Sequence, residues 1–156
     1  MFKIKYILIM LVSLFFLSCE SVYLDMNNVH CKLDKETYAK EEKITLTYYG
    51  NFKDSNDIGN LRIDFIVYKL INGERDHENF PDINFSDNPE SISNFSDGLY
   101  YKYIKENEIM TDFNDILVFR IKESGEYELV VDIRGSTDRH PYGGSQYFTF
   151  PITITD

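Results

Sequence analysis

The residues of this 156-residue chain that could do chemistry are two cysteines, three histidines and twenty-six acids. They form none of the patterns that chemistry requires. His30 and Cys31 are adjacent in "NVHCKLD", a segment with the alternation of a strand, so they point to opposite faces and cannot share an ion. His77 and His140 fall in turn-rich segments without ligand spacing. "DINFSDNPESIS" opens like a calcium loop, with Asp82, Asn84 and Ser86 at alternating positions. It then has Asp87 where the sharp-turn glycine belongs and Ser93 in place of the closing glutamate, so it reads as a solvated acidic loop. There is no Gly-x-Ser-x-Gly elbow, no phosphate-cradling glycine loop and no Cys–His pair in a polar setting. The expectation is a protein that is not an enzyme and has neither a metal site nor a cofactor.

Cys19 stands apart. Lys3 and Lys5 precede "YILIMLVSLFFL", a charge-free run. About 12 residues are too few for the ~20-residue span of a bilayer but suit the core of a signal peptide. Phe16-Leu17-Ser18-Cys19 resembles the lipobox of bacterial lipoproteins, with a small residue before the cysteine and with Phe16 departing from the usual aliphatic residue. The resemblance implies cleavage after residue 18 and a diacylglyceryl thioether on Cys19, usually with a third acyl chain. Two or more acyl chains hold a protein stably to a membrane. It implies a bacterial cell-envelope location, at the outer membrane or cell surface, with residues 19–28 as a tether of up to roughly 30 Å when extended. Removing Lys3 and Lys5 from 16 basic residues leaves 14 against 26 acids, a net charge of −12. A charge of that sign argues against nucleic acid as a partner.

From residue 29 to 156 the dominant pattern is period two, the signature of strands with one buried face. Val29, Cys31 and Leu33 form one such set, and Ile44, Leu46 and Tyr48 another. Leu61, Ile63, Phe65 and Val67 continue the pattern, followed by Tyr127, Leu129, Val131 and Ile133. The last set is Phe148, Phe150, Ile152 and Ile154. "DILVFRIKE" is apolar on both faces in its middle, as a central strand would be. Pro151 is out of phase and cannot donate to a ladder, which predicts that the last strand is an edge or bulged. Six or more strands without an amphipathic helix predict an all-β sandwich.

"ESGEYELVV" resembles the E–F corner of immunoglobulin-like domains. The resemblance makes Tyr127 the corner tyrosine, bonding back to upstream backbone, and Gly125 the residue that permits the turn. Leu129 replaces the second cysteine of an antibody domain, so no intersheet disulfide is expected. "LDKETYAKEEKITLTYYG" is similar to the A–B region of bacterial members. The expected fold is an immunoglobulin-like antiparallel β-sandwich carrying an acidic insertion over 72–114. Residues 74–115 hold eleven acids against Arg75, Lys102 and Lys105.

Binding is the remaining function class. "RGSTDRHPYGGSQY" (134–147) reads as a long F–G connection in which Arg134, Arg139, His140, Tyr142 and Tyr147 are residue types favoured at interfaces. A turn-rich hairpin whose arginines offset nearby acids is the competing reading. Tyr100 and Tyr101 divide between core and binding platform, and Asp87 and Asp97 belong to the acidic insertion. Strand A would enter at the F–G end, turning the acidic insertion outward toward a partner. The expected role is a lipid-anchored binding module for an unknown protein or glycan ligand. A periplasm-facing accessory lipoprotein of envelope or secretion machinery and a protease-inhibitor-like module are the alternatives.

Overall fold

The computed structural model describes residues 24–52, 57–87, 92–96 and 98–156, so Cys19 and Asp97 lie outside the described residues. Among the described residues eleven strands follow one another: β1 (Val29–Leu33), β2 (Thr37–Ala39), β3 (Ile44–Gly50), β4 (Ile58–Ile71), β5 (Glu74–Arg75), β6 (Ile83–Asn84), β7 (Ser93–Ser96), β8 (Leu99–Ile109), β9 (Phe113–Ile121), β10 (Gly125–Thr137) and β11 (Gly144–Thr155). They form a small sheet in the order β1-β3-β9-β6 and a large one in the order β2-β11-β10-β4-β8-β7, with the short β5 paired to β4.

The first strand is split between the sheets. β1 runs antiparallel to β3, and β2 then crosses to lie parallel to the end of β11. This is an immunoglobulin-like sandwich, and its core is built from the alternating residues. Ile44, Leu46 and Tyr48 of the small sheet face Ile63, Phe65, Leu129 and Val131 of the large one, all buried. β9 is buried on both faces over Leu117–Phe119. Among the described residues no strand pairs with the outer side of β11 from residue 144 to 152, so Pro151 occupies an edge where its missing N–H costs no ladder bond.

Tyrosine hydroxyls tie the turns. Tyr127 is fully buried and donates to the Glu123 carbonyl (2.9 Å), across the corner where Gly125 takes φ +150°. Tyr38, also buried, places its hydroxyl 2.7 Å from Asp34 Oδ1 and 2.5 Å from the Lys35 carbonyl. Tyr48 donates to Asp115 Oδ2 (2.9 Å), which also accepts from Lys102 Nζ (2.7 Å). Lys102 comes from the large sheet and Asp115 from the small one, so this bond links the two layers.

The segment 72–114 departs from the expected insertion. Its second half is β8, an 11-residue strand paired along β4. Its first half sends Phe85 into the core against Phe65, Tyr100 and Phe119. Nor do its acids gather at one end. Asp82 and Asp87 lie by the far ends of β6 and β9, where they pair with Lys122 and with Lys43 and Arg120. Glu106 and Glu108 return on β8 to the end where the chain enters, because Ile109 pairs with Ile58, and Asp112 follows in the connection to β9. A strand that spans the sheet necessarily carries its charges from one end to the other.

Candidate functional site

The outward face of the large sheet is where unusual side chains meet. Four strands present residues alternate to the core set, and the register aligns them in rows. Tyr103, Arg62, Arg134 and Ser145 form one row; Tyr101, Asp64, Asp132 and Tyr147 form the next. Arg62 is opposite Arg134, and Asp64 is opposite Asp132. Like charges directly opposite repel, but the two rows together make a square in which each arginine pairs with the carboxylate on its own strand and Arg134 also reaches Asp64.

The contacts follow that square. Arg62 grips Asp64 through two nitrogens, Nε to Oδ1 (2.7 Å) and Nη2 to Oδ2 (2.9 Å). Arg134 bonds Asp132 and lies 3.2 Å from Asp64 Oδ2. Burial acts against the Arg134 charge, but the hydrogen bond to Asp132 and the nearby Asp64 outweigh it and hold the guanidinium above its ordinary pKa. The Arg62 guanidinium also rests over the Tyr101 ring, 5.3 Å from its centroid. Both carboxylates are 5% exposed, and each keeps one Oδ1 without a hydrogen bond; the Arg62 Nε contact to Asp64 Oδ1 is within ion-pair range but misaligned.

Above the square is a cleft of about 700 Å³, with a smaller hollow of about 170 Å³ beside it, both lined by Arg62 and Arg134. One lip is the end of β8, where the register slips against β4 and Asn107 takes φ +54° while donating to Asn60 Oδ1. Bulges of this kind redirect side chains beside functional sites. The other lip is the β10–β11 loop with Tyr142, 74% exposed, and Tyr147 beside it, 62% exposed.

That loop is shorter and better held than the sequence suggests. β10 continues to Thr137 and β11 starts at Gly144, so Arg134 is a strand residue. His140 and Thr137 exchange backbone bonds, and His140 also accepts from the Gly143 N–H (2.9 Å). Arg139 Nε pairs with the buried Asp57 (3.1 Å), and His140 Nδ1 contacts the Thr137 hydroxyl (3.0 Å). Arg139 and His140 therefore hold the loop, while Tyr142 faces the cleft.

The other candidates separate. Tyr101 is on the cleft face with Tyr103, their rings edge to face at 6.0 Å. Tyr100 turns inward and stacks on Phe65 at 5.6 Å. Asp87 is tied to Lys43 and Arg120 in the fold. Among the described residues no group of three or more His, Cys, Asp or Glu side chains is placed to hold a metal ion. The Arg62–Asp64 and Asp132–Arg134 pairs were not singled out from sequence. The signal was present: Arg-x-Asp on one strand and Asp-x-Arg on another are mirror images that an antiparallel register superimposes.

The fold and face together define an immunoglobulin-like sandwich with a charged, tyrosine-rimmed cleft on its larger sheet. No protein-family model matches the chain, and no curated protein matches it. Among solved structures it is similar to the seventh ScaB type I cohesin from Pseudobacteroides cellulosolvens (13% identity, 85% of this chain and 93% of that one, TM-score 0.45). It is also similar to a type II cohesin domain from the cellulosome of Acetivibrio cellulolyticus (10%, 80% and 94%, 0.45). A third is the human F-spondin reeler domain (12%, 85% and 94%, 0.44).

Proposed function

We propose that this protein is a non-enzymatic, lipid-anchored lipoprotein of the bacterial cell envelope, whose sandwich binds a ligand through the outer face of its large sheet. The observation that carries the binding reading is the cleft itself. Exposed tyrosines and two arginines converge over a rigid sheet, and these residue types dominate binding energy where they cluster. The anchoring half rests on the lipobox-like Phe16-Leu17-Ser18-Cys19.

Two experiments test the halves separately. Cys19→Ala is expected to move the protein from the membrane pellet to the soluble fraction; continued pelleting would refute the anchor. A photo-crosslinking residue at position 142 or 147 is expected to capture a partner on cells, and Arg134→Ala to abolish the capture. Capture of equal yield from a probe at Thr153, on the far part of β11, would remove the cleft from the proposal.

A further inference from the structure

The cleft's chemistry narrows its ligand. Building on the binding reading above, we infer that the cleft is a saccharide site for a neutral, polyhydroxylated ligand.

Charge is the first argument. Arg62 and Arg134 look like an anion trap, but Asp64 and Asp132 already neutralise them, and Glu106 adds a negative charge to the lip. A ligand carboxylate or sulfate could reach the remaining N–H groups, but it would compete for the guanidinium charge with carboxylates that are 5% exposed. Leaving a buried charge unpaired is strongly unfavourable. A neutral ligand enters no such competition.

Hydrogen-bonding capacity is the second. A guanidinium has five N–H donors, and the contacts above engage two of Arg62 and one of Arg134. The Asp64 and Asp132 Oδ1 atoms are buried within the sheet, so the acceptor that meets a ligand is the Glu106 carboxylate on the lip. The cleft therefore offers donors on its floor and an acceptor on its lip. A hydroxyl group both donates and accepts, so a ligand carrying several of them can answer such a surface without net charge. Asn60, Asn107 and Ser145 extend the same capacity around the cleft.

Ring surface is the third. Tyr103, Tyr142 and Tyr147 offer exposed aromatic faces, whose negative quadrupole attracts weakly positive C–H groups. The C–H face of a pyranose is such a surface. A cleft of about 700 Å³ falls in the size range of small-ligand sites.

The test uses the full chain in a detergent without a sugar headgroup, applied to an array of immobilised neutral oligosaccharides and their uronic-acid or sulfated counterparts. Binding of neutral members is expected, followed by calorimetry in which Tyr142→Ala and Tyr147→Ala each weaken affinity by about tenfold or more. Both tyrosines are exposed, so these variants keep the fold, which near-ultraviolet circular dichroism verifies. Tighter binding of the anionic counterparts would overturn the inference, as would glycan binding insensitive to both substitutions. No glycan bound, with the position-142 crosslink to a protein intact, would overturn the saccharide inference and leave the binding reading standing. Loss of both would overturn the two together.

Discussion

Cys31 shows how position decides a residue's chemistry. It faces the core from β1, and burial pushes its thiol up to about 12, against a smaller opposing effect of the Lys32 backbone N–H. At pH 8 this leaves on the order of a thousandfold less thiolate than an ordinary cysteine near 8.5 would have. In the Cys19→Ala chain a disulfide reagent should therefore react slowly with native Cys31 and promptly once the protein is unfolded. Rapid native labelling would place the thiol in solvent. Asp115 is the opposite case. Burial acts to raise its pKa, but bonds from Lys102, the Ile116 N–H and Tyr48 outweigh this and hold it below the ordinary carboxylate value. Its stabilising contribution is complete above the unfolded value near 4 and is lost as pH falls through the lower folded value. Asp115→Asn should cost about 1–3 kcal/mol at pH 7. It should also flatten the fall in the urea midpoint on acidification; an unchanged profile would mean that the intersheet bond contributes nothing.

At the scale of elements, the meeting of β10 and β11 is tuned for close approach. Gly135 and Gly144 are cross-strand partners, and residues 24–26 pack against them before β1 begins. A Cβ on Gly135 would stand 2.6 Å from Leu24 Cδ2, and one on Gly144 only 2.3 Å from the Leu24 carbonyl oxygen. Gly144→Val should displace this segment and its bond from the Leu24 N–H to the Gly143 carbonyl, at a cost of about 1–3 kcal/mol. Amide exchange at Leu24 reads the displacement directly; protection equal to wild type would contradict it. Deleting 76–98 as though it were a surface loop should unfold the domain, because Phe85 contributes to the core and Asp87 joins Lys43 and Arg120. A cooperative thermal transition in the deletion variant would refute that.

For the whole molecule the entry point of the chain matters most. Leu24 bonds to the β10–β11 loop, so the tether reaches the sandwich at the end that carries Tyr142 and Arg139. Four residues lie between Leu24 and Cys19, and the five steps span at most roughly 17 Å when extended. With Cys19 lipidated, the cleft would open in the layer next to the membrane, while Asp82 and Asp87 lie toward the other end. Protease treatment of intact and permeabilised cells tells which side of the envelope that layer occupies. Digestion on intact cells is the expected outcome for a surface lipoprotein. Protection until permeabilisation would favour an accessory role inside the envelope.

The sequence by itself determined six of the strands, β1, β3, β4, β9, β10 and β11, because alternation is a local pattern that burial on one face imposes on each strand separately. It also determined the corner at Tyr127, whose bond to Glu123 spans only four residues. β8 was only partly legible, since its second half, Lys105–Ile109, is polar and lies on a strand exposed along much of its length. The acids were countable but not placeable, because their distribution depends on which way β8 runs. The charged square was decided by tertiary structure alone. Arg62 and Asp64 meet Asp132 and Arg134 only through the β4–β10 register, which joins residues about seventy apart in the chain. Register is set by the match of two buried faces, and the outward side chains follow from it.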